Sequence, residues 1–249
     1  MKIKKRFYKE RVALNVLANN IENAKEVFDA AAGFVVVGVL SKNYPTIEEA
    51  VIDMKKYGEA IDDAVSIGLG AGDNRQAAVV AEIVKQYGGS HINQVFSAVG
   101  ITSANLCEQS WINSLVSPTG KVGYVNISTG LHSAAASEKA IVPVEAAIAL
   151  VKDMGGQALK YFPMKGLSTK EEFRAVAKAC AKERLYLEPT GGIDLNNYEE
   201  ILSIALEEKV EKVIPHVYSS IIDPNTGKTN VEDVKKLLEI TKRVVAEHD

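Results

Sequence analysis

Short apolar runs rich in β-branched residues alternate along the chain with segments in which apolar residues recur every three or four positions. Runs of the first kind are typical of β-strands, and the second spacing is typical of amphipathic helices. The pattern predicts eight strands, beginning near Val12, Val35, Asp63, Ile92, Val122, Gln157, Leu185 and Lys212. Successive starts lie 23 to 35 residues apart, as expected for repeated strand–helix units of roughly 30 residues.

The predicted strands are mostly apolar at nearly every position, as in Phe34 to Leu40. Such strands are covered on both faces, which is typical of parallel sheets flanked by helices. The helices between them are predicted at Thr46 to Ile61, Pro143 to Met154 and Asn197 to Glu207. A further helix is predicted after Ser168-Thr169, because a hydroxyl residue followed by Glu171 and Glu172 is a helix start signal.

This strand–helix alternation predicts an α/β fold, which we interpret as a single (β/α)8 TIM barrel over residues 1–249. An open, doubly wound sheet is the alternative that the same order leaves open. One barrel suits a length of 249 residues, and no linker interrupts the series. Since barrel enzymes carry their chemistry at the carboxyl ends of strands, functional residues are expected there.

Composition and charge narrow the range of partners. Hydrophobic residues make up 47% of the chain and charged residues 24%, which is ordinary for a globular protein with a large core. The formal net charge of −3 offers no basic field, so we expect no nucleic-acid partner. The longest apolar run, Ala30 to Leu40, is too short for a membrane span, and the basic N-terminus lacks a signal-peptide core. We therefore expect a cytoplasmic protein without a membrane partner.

A lysine stands inside the apolar sixth predicted strand, at Lys160. One interpretation is a lysine that reaches solvent or a carboxylate. The other is a nucleophile, because an apolar pocket lowers the pKa of an amine and the neutral amine attacks carbonyl groups.

The seventh predicted strand leads through Glu188 and Pro189 into Thr190-Gly191-Gly192, just before a helix. Two glycines at this point predict a phosphate-binding loop, since their backbone N–H groups approach an anion closely. A tight turn that requires glycine is the alternative. Barrels often hold phosphate in the loops after the seventh and eighth strands, and the eighth predicted strand adds His216, Tyr218, Ser219 and Ser220 to this rim.

Two motifs end the sixth and seventh predicted strands: Leu159-Lys160-Tyr161-Phe162-Pro163 and, 26 residues later, Pro189-Thr190-Gly191-Gly192-Ile193. They resemble the Lys-aromatic-Phe-Pro and Pro-Thr-Gly-Gly-Ile motifs of 2-keto-3-deoxy-6-phosphogluconate aldolases. Gly70-Ala71-Gly72 and Ile127-Ser128-Thr129 resemble two further segments of that family. The chain as a whole is most similar to a divergent branch associated with D-glucosaminate catabolism in bacteria.

The resemblance implies a class I aldolase that cleaves 2-keto-3-deoxy-6-phosphogluconate to pyruvate and glyceraldehyde 3-phosphate, with 4-hydroxy-2-oxoglutarate as a further substrate. It makes Lys160 the Schiff-base lysine and places Thr190, Gly191 and Gly192 at the phosphate. Because the lysine itself supplies the electron sink, no cofactor and no metal are expected. The resemblance also implies a homo-oligomer.

The chain departs from the better-known members of the family at the second and eighth strands. Those members carry a Glu base and a carboxylate-binding Arg on the second strand, and Phe34 to Leu40 contains neither. Lys42 is the candidate replacement for the Arg, and Ser128 and Thr129 are further candidates for binding the substrate carboxylate. The family's Gly-Gly-Ser motif is replaced by Tyr218-Ser219-Ser220, so Ser219 and Ser220 are inferred phosphate ligands without a motif match.

The proton-transfer base is left open among Asp73, Glu188 and His216. A histidine ordinarily titrates near neutral pH, which makes His216 a candidate; Glu188 directly precedes the glycine loop, and Asp73 follows the third predicted strand. A structural role is the alternative for each of them. Two other functions also remain: a metal-dependent lyase or epimerase with these three residues as ligands, and a catalytically silent barrel that binds a sugar phosphate.

Overall fold

The computed structural model describes residues 1–248 and shows an α/β fold built on a curled parallel sheet. The strands are β1 (Leu14–Leu17), β2 (Val35–Leu40), β3 (Val65–Gly68), β4 (His91–Val95), β5 (Trp111–Val116), β6 (Tyr124–Asn126), β7 (Ile141–Pro143), β8 (Ala158–Tyr161) and β9 (Tyr186–Pro189). Seven of them form the sheet in the order β1-β2-β3-β4-β5-β8-β9, and every neighbouring pair is parallel. Strands β6 and β7 pair with each other, antiparallel and outside this sheet.

Helices pack around the outside of the sheet and bury an apolar core against it. They are α1 (Ile21–Ala30), α2 (Ile47–Ala60), α3 (Ala77–Ile83), α4 (Val99–Asn105), α5 (Leu131–Ala135), α6 (Val144–Asp153), α7 (Lys170–Glu183), α8 (Tyr198–Glu207) and α9 (Val231–Glu247). Helix α2 begins as predicted, with Thr46 accepting the Glu49 N–H at 3.2 Å. Helix α7 also begins where expected, but the hydroxyls of Ser168 and Thr169 donate to the Met164 carbonyl and do not cap the helix. Among residues 1–248, no helix combines the length and apolar character needed to cross a membrane.

The fifth strand of the sheet was predicted wrongly. It is Trp111–Val116, whereas the segment near Val122 leads into the antiparallel strand β6. The apolar run of β5 is interrupted by Asn113 and Ser114, which are both buried. Polar residues inside a strand hide it from a search for apolar runs. Of the two, Asn113 makes hydrogen bonds within the sheet interior, to Asn93 and Glu188.

The segment 213–217, predicted as the eighth strand, forms single bridges to both edge strands of the sheet. The Ala13 N–H donates to the Val213 carbonyl at 3.2 Å on one side, and the His216 N–H donates to the Pro189 carbonyl at 3.0 Å on the other. Pro215 has no N–H to contribute to a ladder. The described parallel sheet therefore has seven continuous strands.

An apolar cluster fills the amino-terminal end of the curled sheet. Its members are Ile3, Phe7, Ala13, Val36, Trp111, Ala158 and Ile214. Ile3 comes from a short 3-10 helix, Lys2–Arg6, that packs against this end of the sheet. Because the interior is packed there, the space available to a ligand lies at the carboxyl ends of the strands.

Candidate functional site

A cavity of about 390 Å3 lies at the carboxyl ends of the parallel strands. Apolar side chains such as Leu17, Leu40 and Leu115 form much of its wall. The polar side chains that line it are Lys42, Asn93, Gln94, Lys160, Thr190, His216, Tyr218 and Ser219. A concave, mainly apolar site with a few polar groups is typical of small-molecule binding, and this end of the strands is where barrel enzymes carry their chemistry.

The fold brings together most of the residues that the motifs single out. Those lining the cavity are Lys42, Lys160, Thr190, Gly191, Gly192, His216 and Ser219. Those not lining it are Asp73, Ser128, Thr129, Glu188 and Ser220. The lysine and the glycine loop therefore face one space, although the two motifs are separate in sequence.

Asp73 lies outside the cavity and is engaged with its own loop. Its carboxylate accepts two hydrogen bonds from the Arg75 guanidinium, both at 2.8 Å, and a third from the Arg75 backbone N–H. The Arg75 side chain holds the pKa of Asp73 below its usual range. These contacts are those of a loop-stabilising turn residue.

The hydroxyls of Ser128, Thr129 and Ser220 bond backbone atoms of the loops around the cavity. Ser128 Oγ accepts an N–H at 2.8 Å, Thr129 Oγ1 donates to a carbonyl at 3.1 Å, and Ser220 Oγ donates to a carbonyl at 2.7 Å. The backbone partners belong to Ala140, Leu115 and Ile193. Contact of these three hydroxyls with a substrate stays a prediction.

Lys160 lies near the end of β8, and its side chain lines the cavity. Nζ donates to Oδ1 of Asn93 at 2.8 Å. Burial lowers the pKa of Lys160 to about 8, and the negative charge of Glu188 opposes part of that shift. Asn93 is a neutral partner, so its contact positions the amine without holding the proton on it. With that pKa, about one lysine in ten is neutral at neutral pH and able to attack a carbonyl.

Glu188 is fully buried beneath the cavity, and four side chains form hydrogen-bond contacts with its carboxylate. Trp111 Nε1 donates to Oε1 at 2.7 Å, and Asn113 Nδ2 donates to Oε2 at 2.6 Å. His91 Nε2 lies 3.0 Å and His216 Nε2 2.8 Å from Oε2. Burial alone would raise the pKa of Glu188, but the two histidines outweigh burial and hold it below its usual range. The residue is therefore a carboxylate whose two oxygens are both occupied.

The carboxylate sets the proton position on His216. An ionised carboxylate only accepts hydrogen bonds, so a neutral His216 carries its proton on Nε2 and donates it to Glu188. Burial lowers the pKa of His216 to about 3; the charge of Lys160 adds to the shift, while Glu188 opposes it. The imidazole is therefore neutral at neutral pH. Its Nδ1 is left as an acceptor, 2.9 Å from the Tyr218 hydroxyl.

His91, Glu188 and His216 are also spaced closely enough for a small cation, since one atom of each lies within 4.8 Å of the others. Asp73, the third ligand proposed from the sequence for a metal site, is bonded to Arg75 instead. Both oxygens of Glu188 already accept N–H bonds from Trp111 and Asn113, groups that only donate at these atoms. A cation would have to displace those donors, so the cluster fits a hydrogen-bonded network better than a ligand set.

The two glycines of this loop have both a structural role and a chemical role. Gly191 has φ +103° and Gly192 has φ +70°, which L side chains rarely adopt. A Cβ on Gly192 would lie 2.7 Å from the backbone nitrogen of Gly166, so the two loops pack too closely for a side chain. Across residues 1–248, the N–H groups of Gly191 and Gly192 find no acceptor in the protein. The tight turn therefore leaves two adjacent donors for an anion.

Several residues of the site escaped the sequence analysis, above all His91, Asn93, Trp111 and Asn113. The spacing of these residues in the sequence could have indicated them. In β4 and β5 these residues stand at alternate positions, and alternate residues of a strand face the same side. Facing polar residues at matched positions indicate a buried polar layer.

Comparison with known proteins supports the motifs. A family model described as KDGP aldolase matches residues 8–225, which include every strand and the glycine loop. The chain is also similar to a protein of Salmonella typhimurium named 2-dehydro-3-deoxy-phosphogluconate aldolase. The two are 46% identical over 244 residues, covering 96% of this chain and 98% of that protein.

Solved structures of the TIM-barrel type share the fold at low identity. (S)-3-O-geranylgeranylglyceryl phosphate synthase from Thermoplasma acidophilum superposes with a TM-score of 0.57 and 10% identity, covering 97% of this chain and 98% of that one. Phosphoribosyl anthranilate isomerase from Thermus thermophilus gives a TM-score of 0.55 and 13% identity, covering 93% of this chain and 99% of that one. At these identities the likeness concerns the fold alone.

Proposed function

The chain belongs to the KDGP aldolase family, and we propose that it is a class I aldolase that cleaves 2-keto-3-deoxy-6-phosphogluconate through a Schiff base on Lys160. The products are pyruvate and glyceraldehyde 3-phosphate. The observation that carries the proposal is the setting of Lys160: a half-buried lysine with a pKa lowered to about 8, bonded to neutral Asn93, in the cavity lined by Gly191 and Gly192. An amine of this kind is suited to attack a ketone and to act as an electron sink.

In the proposed reaction, neutral Lys160 attacks the C2 ketone of the substrate and water leaves, giving an iminium ion. The iminium draws in the electron pair of the C3–C4 bond as a base removes the C4 hydroxyl proton. Glyceraldehyde 3-phosphate departs, and the remaining enamine is protonated at C3 and hydrolysed to pyruvate. The lysine supplies the electron sink, so the scheme requires no metal and no organic cofactor.

The glycine loop is proposed to hold the phosphate, with the two N–H groups of Gly191 and Gly192 as donors and Ser219 beside them at the rim. The side-chain carbons of Lys42 pack against Gly70 in the cavity wall, and Lys42 is proposed to bind the substrate carboxylate. Binding energy from these remote groups orients the reacting carbons over Lys160. A substrate without phosphate, such as 4-hydroxy-2-oxoglutarate, would use the same lysine with weaker binding.

We further propose that segment 213–217 acts as the eighth strand of a closed (β/α)8 barrel and that residues 1–249 form one catalytic domain. Its bridges to β1 and to β9 support this, because they join the two edges of the sheet. Assembly into a homo-oligomer stays a prediction from the family resemblance.

Borohydride trapping tests the proposed function. Sodium borohydride reduces an imine to a stable amine, so incubation of the purified protein with pyruvate and borohydride is expected to add one pyruvyl group, mapped to Lys160. Cleavage of 2-keto-3-deoxy-6-phosphogluconate, followed by pyruvate release, is expected to continue after prolonged treatment with a chelator. A folded protein that forms no adduct and loses its cleavage activity with the chelator would support the metal-dependent lyase instead.

The pH dependence of imine formation follows from the lowered pKa of Lys160. The nucleophile is the neutral amine, which is the minor form below a pKa of about 8 and the major form above it. The initial rate of imine formation with pyruvate is therefore expected to rise about tenfold per pH unit below that value and to level off above it. Quenching with borohydride at short times measures this rate. A rate that keeps rising toward pH 10.5, the ordinary lysine value, would contradict the shift.

Replacement of Lys42 tests the carboxylate site. Lys42→Met removes the charge and keeps most of the side chain, so KM for 2-keto-3-deoxy-6-phosphogluconate is expected to rise about tenfold or more while kcat changes little. Lys56→Met, an exposed lysine on α2, is the matched control and is expected to leave both constants unchanged. An unchanged KM in Lys42→Met would remove Lys42 from the binding site.

A further inference from the structure

The Tyr218 hydroxyl links the cavity to the buried carboxylate. Tyr218 lines the cavity, and its hydroxyl lies 2.9 Å from His216 Nδ1. His216 Nε2 in turn lies 2.8 Å from Glu188 Oε2. The three residues form a chain of hydrogen bonds that begins at the cavity and ends on the Glu188 carboxylate.

We propose that Tyr218 is the proton-transfer group of the aldol reaction, with His216 and Glu188 as positioning residues that complete a proton relay. The inference rests on the proposed Schiff-base function and fills the one role that neither the motifs nor the cavity assigns. Glu188 fixes the Nε2–H form of His216, so Nδ1 presents its lone pair to the tyrosine. Burial raises the pKa of Tyr218, so it holds its own proton until it can pass it on.

The network offers the Tyr218 hydroxyl an acceptor in each of two proton states. With neutral His216, the Tyr218 O–H donates to Nδ1. With protonated His216, Nδ1–H donates to the tyrosine oxygen, and the tyrosine O–H turns to Asn15 Oδ1 at 3.2 Å. Asn15 is held in place by a hydrogen bond from its amide nitrogen to Ser66 Oγ, also at 3.2 Å. Because an acceptor is present in both states, the Tyr218 O–H stays hydrogen-bonded as the proton moves.

The relay accounts for every proton that moves in the cleavage step. The C4 hydroxyl gives its proton to the Tyr218 oxygen as the Tyr218 proton moves to His216 Nδ1, and the C3–C4 electron pair flows to the iminium nitrogen. In the next step His216 returns its proton through Tyr218 to C3 of the enamine. The proton taken from the C4 hydroxyl is thus delivered to C3, and no outside acid or base is consumed.

Charge at Lys160 couples to the relay. A positive charge there lowers the proton affinity of His216. Cleavage converts the iminium of Lys160 into a neutral enamine at the moment His216 accepts the proton. Loss of the positive charge at Lys160 therefore favours protonation of His216, and the neighbouring Glu188 carboxylate is the counter-charge.

Hydrogen–deuterium exchange of the pyruvate methyl group isolates this role. Exchange requires imine formation on Lys160 and then proton transfer at C3, whereas borohydride trapping requires only the imine. Tyr218→Phe is expected to keep trapping near the wild-type extent and to lower both methyl exchange and kcat for cleavage by about 100-fold or more. Tyr198→Phe is the matched control, because its hydroxyl bonds Thr241 in the helix layer and does not line the cavity.

The outcomes separate the two proposals. Wild-type protein that neither traps nor exchanges pyruvate would overturn the Schiff-base function itself. Wild-type protein that does both, with Tyr218→Phe exchanging at the wild-type rate, would overturn the relay alone. A folded Tyr218→Phe variant that no longer traps pyruvate would also overturn the relay, since the hydroxyl would then act in imine formation.

Discussion

Replacing Lys160 with methionine is expected to abolish cleavage of 2-keto-3-deoxy-6-phosphogluconate, with kcat/KM falling by at least about 10^4-fold, as is typical when a covalent nucleophile is removed. Methionine has a similar length and lacks the amine, so the variant forms no imine. Its Tm is expected to equal or exceed that of the wild type, since burial lowers the pKa of Lys160 and thus disfavours the charged amine. A coupled assay of pyruvate release and borohydride trapping measure the loss, and a thermal melt checks the fold.

The matched control is Lys165→Met. Lys165 follows the same motif but is exposed and does not line the cavity. Wild-type activity and a normal adduct are expected from it. Residual cleavage in Lys160→Met within tenfold of the wild type would rule out Lys160 as the Schiff-base residue.

The second large effect is expected on stability, from Glu188→Gln. The amide turns one acceptor oxygen into an N–H donor, which then faces the donors Trp111 or Asn113 in a fully buried site. Loss of a buried, multiply bonded carboxylate is expected to lower the free energy of unfolding by about 3 kcal/mol, equivalent to a Tm lower by roughly 6 to 12 °C. Urea denaturation and thermal melts at neutral pH measure the change.

The pH dependence of that effect has a defined sign. The pKa of Glu188 lies below its ordinary value of 4.5 in the folded protein, so its carboxylate stabilises the fold above that pH and loses this contribution as pH falls below it. The difference in free energy of unfolding between wild type and Glu188→Gln is therefore expected to become smaller below about pH 4.5. Glu145→Gln, which removes an exposed carboxylate paired with Lys182, serves as control and is expected to leave Tm unchanged. A difference that stays constant with pH would mean that the carboxylate charge is not what stabilises this site.

Most strands could be predicted because a run of apolar residues can be recognised from the local sequence alone. The strands at Val35–Leu40 and Val65–Gly68 follow directly from such runs, and the α/β class follows from the alternation with helices. Strand β5 was not predictable in this way. Asn113 and Ser114 interrupt its apolar run, and the buried position of Asn113 is stabilised by hydrogen bonds to Asn93 and Glu188, which are contributed by other strands.

The residues of the candidate site also fall into two groups, those that sequence motifs could predict and those that they could not. Lys160 and the Gly191-Gly192 loop stand in contiguous motifs, so the family could be recognised from sequence and is confirmed by the comparisons. The partners of Lys160 and Glu188 stand in no motif. Asn93 is 67 positions from Lys160, and His91 is 97 positions from Glu188, so their contacts exist only after the strands align side by side.

By itself the sequence determined the α/β class, the family and the residues proposed for covalent chemistry and phosphate binding, because each depends on periodicity or on a short motif. Tertiary structure alone decided which carboxylate is buried, which histidine nitrogen carries the proton and that Tyr218 faces the cavity. The physical reason is that pKa values and proton positions depend on burial and on the nearest charges. Those neighbours come from strands far apart in sequence, and only the folded sheet brings them within hydrogen-bond distance.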